Sequence, residues 1–305
     1  MTRILIVGSV NMDIVARVDH MPVAGENVRG SGLRTIPGGK GANQAVACAR
    51  LGARTDFLAR VGDDEFGGRL RAGLAEAGVR VDAVRAIGGC PSGIALILID
   101  ARGQNSIVVT AGANGRLAPE DVDAARLLLA GADAVILQLE IPPETVARTI
   151  GLARKLSKRT IVDAGPPRKP VDAAVFQCAI LSPNEAEAAS LLEIEPGAAG
   201  PEEMARDLAA RGPEAVVLKA GSGGAFVAQG GKVVHVPAFK IDPVDTTAAG
   251  DAFTAALAVE MARGTDIAEA ARIANAAGAL ACLKLGAQPS MPTAAEVADF
   301  LKRNH

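Results

Sequence analysis

Residues 119–165 read PEDVDAARLLLAGADAVILQLEIPPETVARTIGLARKLSKRTIVDAG, and two kinds of segment alternate in them. Segments 119–132 and 142–157 begin with Pro and acidic residues and continue with apolar residues at helical spacing. Segments 133–140 and 159–165 are short apolar runs, as in strands buried on both faces. Because strand, helix and strand in succession make a βαβ unit, this stretch predicts a parallel sheet.

The same alternation continues on both sides of this stretch. Segments that suit strands lie at 3–10, 54–62, 177–183 and 214–221. Segments that suit helices lie at 43–53, 64–79, 184–192, 201–212, 250–262, 266–285 and 293–303. A β-hairpin is predicted at 224–237, because Gly230 and Gly231 separate two alternating runs there.

Two early segments, about 13–36 and 93–110, read as strands without crossover helices and predict a small antiparallel sheet. Residues 1–305 are therefore expected to form a single α/β domain, in which helices cover both faces of a mostly parallel central sheet. The two early segments would form a β-sheet lid beside it. Ligands of open parallel sheets bind beyond the carboxyl ends of the strands, so motifs that directly follow strands are the candidates for a site.

The composition excludes several classes of protein. Trp and Tyr are absent and 49% of the residues are hydrophobic, so the core is aliphatic and a site built on Trp or Tyr stacking is ruled out. The net charge is −2 and no Lys/Arg run occurs, which argues against a nucleic-acid or membrane-surface partner. No apolar stretch approaches the roughly 20 residues that span a bilayer.

The N-terminal sequence and the cysteines predict a cytoplasmic location. MTRILIVGSV leads directly into a strand pattern without the layout of a signal peptide. Cys48, Cys90, Cys178 and Cys282 are widely separated and lack CxxC spacing, so we expect reduced thiols that are mostly buried.

The stretch GSVNMD at 8–13 follows the first predicted strand and offers Asn11 and Asp13 at a strand end. It lacks the GxGxxG pattern of dinucleotide-binding turns. An amide and a carboxylate suit paired hydrogen bonds to neighbouring hydroxyl groups of a ligand. An Asx turn that joins two strands is the alternative interpretation.

The stretch PGGKGANQA at 37–45 places glycines around Lys40 directly before a predicted helix. Glycine permits close approach of the backbone to a ligand, and Lys supplies a point charge. The stretch is not a P-loop, because GxxxxGK[ST] is absent. A flexible loop with a solvated lysine is the alternative.

The stretch SPNEAEAA at 182–189 puts Asn184, Glu185 and Glu187 at a helix start after a strand. Asn184 and Glu187 are three residues apart and share a helix face, where an amide and a carboxylate could orient waters around Mg²⁺. Ordinary helix capping by the same side chains is the alternative.

The stretch VDTTAAGDAF at 244–253 places Asp251 at the start of an apolar helix, after a run of small residues. The free N–H groups and dipole of a helix start favour negative charge. Asp251 is therefore either a helix-starting residue or a carboxylate that works beside another bound anion. The Gly-rich KAGSGG at 219–224, after a strand, accommodates a nucleotide or simply joins the strand to a hairpin.

Taken together, these motifs resemble those of the ribokinase family, the PfkB-type carbohydrate kinases. GSVNMD, GGKGANQA, SPNEAEA, VDTTAAGDAF and, near the end, GAQPS occur in the family's order and at its approximate spacing, nearly from end to end. Several loose motifs in one order are more specific than any one of them. The resemblance implies a ribokinase-like three-layer α/β/α sandwich with a small β-sheet lid.

Within the family, the forms GGKGANQA, AAGD and GAQPS favour ATP-dependent phosphorylation of the 5-hydroxyl of D-ribose, which gives D-ribose 5-phosphate and ADP. A kinase of the same fold for deoxyribose, fructose or a nucleoside is the alternative. A nucleoside pocket with aromatic walls is hard to build without Trp and Tyr. A non-catalytic sugar- or nucleotide-sensing protein is the third interpretation, and the retained Asp251, Lys40 and Asn184/Glu187 pair disfavours it.

The resemblance also implies a role for each motif residue. Asp251 would be the catalytic base, and the backbone N–H groups of Ala248, Ala249, Gly250 and Asp251 would form an anion hole. The sugar would be held by Asn11, Asp13, Gly39, Lys40, Asn43 and Glu140. The ATP groove would be lined by Lys219, Gly221, Ser222, Gly224, Gly250 and Asn275.

The resemblance also implies two metal-ion sites and a homodimer. Asn184 and Glu187 would organise Mg²⁺ and phosphate. A monovalent cation, K⁺, would be surrounded, largely through carbonyl groups, by Asp245, Thr247, Ala281, Lys284, Gly286 and Ser290. Lids of similar proteins pair, which implies a homodimer.

Two stretches depart from the family pattern. VDAGPPRK at 162–169 does not match the Asn-Pro turn that the resemblance leads us to expect. Asn275 stands where some members have His, so the contact to the adenine ring is expected to differ.

Overall fold

In this computed structural model, which describes residues 1–167 and 169–304, the strands form a nine-stranded sheet and a separate four-stranded sheet. The strands are β1 (Arg3–Val7), β2 (Asn11–Val18), β3 (Gly30–Gly38), β4 (Arg54–Gly62), β5 (Val84–Ile87), β6 (Gly93–Ile99), β7 (Asn105–Thr110), β8 (Ala134–Leu137), β9 (Arg159–Asp163), β10 (Ile180–Ser182), β11 (Ala215–Lys219), β12 (Ala225–Gln229) and β13 (Lys232–Val236). The helices are α1 (Lys40–Arg50), α2 (Glu65–Glu76), α3 (Pro119–Ala124), α4 (Arg126–Gly131), α5 (Pro143–Lys155), α6 (Glu185–Leu192), α7 (Pro201–Ala209), α8 (Ala249–Arg263), α9 (Ile267–Cys282) and α10 (Ala294–Arg303).

The large sheet has the order β13-β12-β11-β10-β9-β8-β1-β4-β5. Its strands are parallel except for β12, which is antiparallel to both of its neighbours, β11 and β13. The β12–β13 hairpin turns at the predicted Gly230 and Gly231. The mostly parallel sheet predicted from the alternating segments is therefore confirmed. The short edge strand β5 was not predicted, because its exposed middle residues hide the apolar pattern.

Helices cover both faces of the large sheet. Successive apolar side chains of each central strand point to opposite faces, so each strand contributes to two cores. In β1, Ile4 and Ile6 join a core with α1, α2, α8 and α9. Leu5 and Val7 join a second core with α3, α5, α6 and α7. The molecule is thus a three-layer α/β/α sandwich of the expected ribokinase-like class.

The four-stranded sheet, hereafter the lid, has the order β3-β2-β6-β7. The antiparallel lid predicted from sequence is correct for β2–β3 and β6–β7, but β2 and β6 are parallel. The reason is that β2 follows β1 and β6 follows β5, and both parent strands leave the large sheet in the same direction. The lid therefore rises from the carboxyl edge of the sheet.

Three further structural features bear on the sequence predictions. Of the segment 162–169, residue 168 lies outside the described residues. All four cysteines are free thiols, and Cys48, Cys178 and Cys282 are buried as expected. Among the described helices, none combines the length and the apolar character needed to cross a membrane.

Candidate active site

The carboxyl ends of the central parallel strands meet at one edge of the large sheet, beneath the lid. Asp163 and Lys219 are the last residues of β9 and β11. Glu140 and Asn184 follow shortly after β8 and β10. This edge is where ligands of open α/β sheets bind, and four chemically active side chains converge there.

Gly39 makes the turn from the lid strand β3 into α1 possible. Its φ is 89°, and a β-carbon there would lie 2.7 Å from the backbone nitrogen of Asn11. Only glycine allows both the left-handed backbone and this close approach. The turn consequently brings Lys40, the first residue of α1, beside the loop that follows β1.

The predicted sugar residues do lie together around this turn. Glu140 accepts hydrogen bonds from the Ser9 hydroxyl and, at 3.2 Å, from the backbone N–H of Lys40. Asn11 is only 3% exposed, and its Oδ1 accepts a hydrogen bond of 2.7 Å from Asn114. Asn114 was not predicted, and it fixes which end of the Asn11 amide faces the site.

Asp13 projects from the lid strand β2 toward the same group. Burial and, to a smaller extent, the neighbouring Glu140 carboxylate together raise the pKa of Asp13 to about 7. Two carboxylates this close favour a partner that brings hydrogen-bond donors to both. A polyhydroxylated ligand has such donors.

Asp251 is 5% exposed and lies in the first turn of α8. Its carboxylate accepts hydrogen bonds from Asn43 Nδ2 at 2.9 Å and Gln44 Nε2 at 3.0 Å, both from α1. Burial is the main cause that raises the pKa of Asp251, and the charge of Asp163 adds to the rise. The charge of Lys40 opposes it, and the net pKa is about 6. A carboxylate with this pKa is a stronger base than an ordinary Asp.

Asp163 is the carboxylate that both Lys40 and Lys219 contact, and none of the sequence motifs predicted it. It is fully buried, 3.2 Å from Lys219 Nζ and 3.6 Å from Lys40 Nζ. Burial alone would raise the pKa of Asp163, but the two ammonium groups outweigh it and hold the pKa below the ordinary value. Asp163 is therefore a permanent anion of the site.

Lys40 balances several carboxylates at once. Burial alone would lower the pKa of Lys40, but the charges of Asp163, Asp251, Glu187 and Glu140 raise it. Lys40 thus remains an ammonium ion at any physiological pH, and it lies 3.9 Å from Glu187.

The start of α8 has an unusual backbone. Ala248 adopts the left-handed conformation with φ 60°, and no side chain caps the helix. The N–H of Ala249 donates to the carbonyl of Thr246 at 3.3 Å, so this member of the predicted anion hole already has a partner. A non-glycine residue with positive φ costs about 1 kcal/mol or more and is concentrated at functional sites.

A groove of about 830 Å³ lies beside this helix start. All six residues predicted for the ATP groove line it: Lys219, Gly221, Ser222, Gly224, Gly250 and Asn275. The ammonium of Lys219, however, points inward to Asp163, and the amide of Asn275 donates to the carbonyls of Val236 and Pro237. His235, which the sequence analysis did not assign, also lines the groove and hydrogen-bonds the carbonyl of Gly223 at 2.7 Å.

Asn184 and Glu187 form a reciprocal capping box at the start of α6. The Asn184 side chain accepts from the Glu187 N–H, and the Glu187 side chain accepts from the Asn184 N–H, each at 2.8 Å. The capping interpretation is thus realised, while Glu187 Oε1 still faces Lys40. In the described part of the chain, no group of three or more His, Cys, Asp or Glu residues could by itself hold a metal ion.

The residues predicted around a monovalent cation lie in two adjacent loops. Asp245 joins these loops, because its carboxylate accepts from the N–H of Thr247 at 2.9 Å and of Gly286 at 2.8 Å. Lys284 directs its ammonium to Glu296, which leaves only its carbonyl for the loop. The carbonyl of Ala281 accepts from the Lys284 N–H at 3.4 Å, and the Ser290 hydroxyl donates to the Ala287 carbonyl at 2.8 Å.

Comparison with known proteins identifies the family. The model of the pfkB family of carbohydrate kinases matches residues 1–294. The chain belongs to this family, which confirms the resemblance read from the motifs.

The similar proteins include ribokinases and a deoxyribokinase. The chain is 40% identical to a ribokinase of Bacillus subtilis (strain 168), over 99% of this chain and 100% of the relative. It is 32% identical to a deoxyribokinase of Salmonella typhi, over 99% of each chain. It superposes on the structure of Arabidopsis thaliana ribokinase complexed with ribose and ATP with a TM-score of 0.92, at 34% identity and 99% coverage of both chains.

Proposed function

We propose that this protein is a ribokinase, which transfers the γ-phosphoryl group of ATP to the 5-hydroxyl of D-ribose. One observation carries the proposal: the buried Asp251 carboxylate accepts a hydrogen bond from Asn43 of the predicted sugar pocket, and it directly follows Gly250, which lines the groove. The similarity to ribokinases over the whole chain supports it.

Asp251 is the base of the proposed reaction. Its carboxylate orients the 5-hydroxyl and accepts the proton as the new P–O bond forms. Full deprotonation beforehand is not required, since phosphoryl transfer depends mainly on positioning and on charge stabilisation. Asn11, Asp13, Gly39, Lys40, Asn43 and Glu140 would hold the sugar hydroxyls.

Fixed donors around Asp251 would stabilise the transferring phosphoryl group. The N–H groups of Gly250 and Asp251 at the uncapped start of α8, together with the Lys40 ammonium, supply positive potential there. The left-handed Ala248 sets the direction of this turn.

Asn184 and Glu187 fit Mg²⁺ bound through water. Each uses one oxygen in the capping box, and Glu187 Oε1 remains directed toward Lys40. When bound with ATP, Mg²⁺ neutralises charge on the phosphate groups. Hard cations of this kind take few protein ligands and keep several waters.

A coupled ADP-release assay over a panel of sugars tests the proposed function. D-ribose should give the highest kcat/KM, ahead of deoxyribose, fructose and nucleosides, with product phosphorylated at the 5-hydroxyl by ³¹P NMR. A preference for deoxyribose would make the chain a kinase of the alternative specificity. Sugar binding without any ADP release would make it a sensing protein.

The pH dependence of kcat reports the protonation of Asp251. Since a base must be unprotonated and the pKa of Asp251 is about 6, kcat at saturating sugar should be flat above pH 7. Below pH 6 it should fall about tenfold per pH unit. The exposed Asp207→Asn variant should keep this profile, and a kcat that stays flat down to pH 5 would contradict the assignment.

K⁺ should activate the enzyme more than Na⁺. Asp245 ties the two loops that carry the candidate carbonyl groups, and a larger cation contacts more of these groups at once. Asp245→Asn should remove the difference between K⁺ and Na⁺ in kcat, while Asp242→Asn, an exposed neighbour, should keep it. Equal activity after thorough removal of monovalent cations would exclude the site.

We also propose a homodimer formed through the lid. Leu33, Leu96 and Val108 share the face of the lid that points away from Asp13, and they are 70%, 40% and 62% exposed. Exposed apolar area of this kind marks interfaces. Light scattering should give a dimer for the native chain and a monomer for Val108→Asp, whereas Leu127→Asp on α4 should stay dimeric.

A cytoplasmic location is the remaining part of the proposal. The four free thiols suit a reducing compartment. Cell fractionation that recovers the protein in an oxidising compartment would contradict it.

A further inference from the structure

Gln44 joins the two buried carboxylates of the site. It is fully buried on α1, directly after Asn43. Its Nε2 donates to Asp163 Oδ2 at 2.8 Å and to Asp251 Oδ1 at 3.0 Å. Both hydrogens of one amide are therefore used on two different carboxylates, which the chain brings from β9 and α8.

A second buried amide fixes the orientation of the first. Gln138 is fully buried after β8, and its Nε2 donates to Gln44 Oε1 at 2.6 Å. If the Gln44 amide were reversed, its oxygen would face two carboxylates and its nitrogen would face another donor. The Gln44 nitrogen is thus held toward Asp163 and Asp251.

The other end of this bridge, Asp163, has several further partners. Asp163 is bound by Lys219 from β11 and Lys40 from α1, and Thr254 of α8 lies 3.4 Å from it. Through Gln44, Asp251 is therefore tied to the most strongly held carboxylate of the site.

The charged groups that face Asp251 come from several elements. They are Lys40 on α1, Asp163 at the end of β9, Lys219 at the end of β11, and, around Lys40, Glu140 after β8 and Glu187 on α6. Of the two donors that reach Asp251, Asn43 belongs to the predicted sugar pocket, whereas Gln44 also contacts the second carboxylate.

We propose that Gln44 is a positioning residue, which orients the Asp251 carboxylate by bridging it to Asp163. The proposal rests on the proposed kinase function for its effect on turnover. A neutral donor to the carboxylate favours the ionised base and holds the oxygen that faces the substrate hydroxyl in one place.

Removal of the bridge has a defined set of effects. In Gln44→Leu, kcat should fall about a hundredfold, as for loss of one fixed donor in an active site. KM for the sugar should change less than about threefold, because the sugar side chains are untouched. The acid limb of the pH profile is the range in which kcat falls as the pH decreases. In Gln44→Leu this limb should move up by about one pH unit, since a hydrogen bond to the charged form of Asp251 is lost.

A double-variant comparison separates positioning from simple structural support. If Gln44 acts through Asp251, Gln44→Leu should lower kcat no further in an Asp251→Asn background. Thr149→Val, which removes a fully buried hydroxyl of α5 on the opposite side of the sheet, controls for loss of stability. It should lower the melting temperature without moving the acid limb.

The carboxyl ¹³C NMR titration of Asp251, assigned with Asp251→Asn, gives a readout without turnover. In this titration the pKa of Asp251 should be higher in Gln44→Leu than in the wild type. Gln44→Met replaces Gln44→Leu if the Leu variant fails to fold. An unchanged titration, or a folded variant with kcat within threefold of wild type, overturns the proposal. A wild-type chain that phosphorylates no sugar refutes the proposed function instead, and the titration still decides whether Gln44 positions Asp251.

Discussion

Replacement of Asp251 by Asn is expected to lower kcat about a thousandfold, near the middle of the range for loss of a general base. The amide is isosteric, and it keeps one oxygen for Asn43 or Gln44, whose donors lie within 3.0 Å. The fold and the affinity for sugar should therefore persist, while the proton acceptor is gone. Steady-state kinetics with isothermal titration of sugar binding measures both quantities.

The control for Asp251→Asn is Asp207→Asn, an exposed carboxylate on α7. It should leave kcat and its acid limb unchanged. In Asp251→Asn the residual rate should lose the acid limb altogether, because the titrating group is absent. A purified, folded Asp251→Asn protein with kcat near that of the wild type would end the assignment of the base.

Lys40→Met should affect both turnover and stability. The side chain is 27% exposed, and its ammonium compensates the fully buried Asp163. Removal of one partner from such a group leaves buried charge uncompensated, and about 3 kcal/mol of unfolding free energy should be lost at neutral pH. Activity should fall by at least about a hundredfold, because positive charge beside the phosphoryl position is removed as well.

The pH dependence of this loss has a definite sign. Lys40 and Asp163 stabilise the fold while both are charged, and Lys219 and Lys40 hold the pKa of Asp163 below its ordinary value. The deficit of Lys40→Met should therefore be largest near neutral pH and shrink below about pH 4, where unfolded Asp becomes protonated. Urea unfolding at several pH values measures it.

The matched control for Lys40→Met is Lys302→Met on α10, where the Lys302 side chain is 76% exposed. Its free energy of unfolding should change by less than about 0.5 kcal/mol. Equal stability of the Lys40→Met and wild-type proteins would mean that Lys219 alone neutralises Asp163.

Most of the fold could be predicted from sequence because local patterns dictate it. The apolar runs of β1 and β8 are nearly continuous, and the glycines of the β12–β13 hairpin are adjacent. The parallel pairing of β2 with β6 was missed, because it depends on how two other strands leave the large sheet.

The site was only partly predictable for a related reason. Motif order selected Asp251, Lys40 and the groove glycines as candidates, but the contacts that would define their chemistry are remote in sequence. The Gln44 amide reaches Asp163 across 119 positions and Asp251 across 207. The one local signal for Asp163 was its place near the end of the predicted strand 159–165, where open sheets present ligand-binding side chains.

A single residue connects the lid to α1, the helix whose side chains bind the Asp251 carboxylate, and this short connection limits how the protein can be engineered. β3 ends at Gly38 and α1 begins at Lys40, so only Gly39, with φ 89°, separates the lid from α1, whose Asn43 and Gln44 donate to the Asp251 carboxylate. A chimaera that imports a lid from another kinase must therefore keep the glycine and match the entry angle of the helix. A graft that alters either one would misplace the proton acceptor along with the sugar pocket, so binding and turnover cannot be exchanged as separate modules.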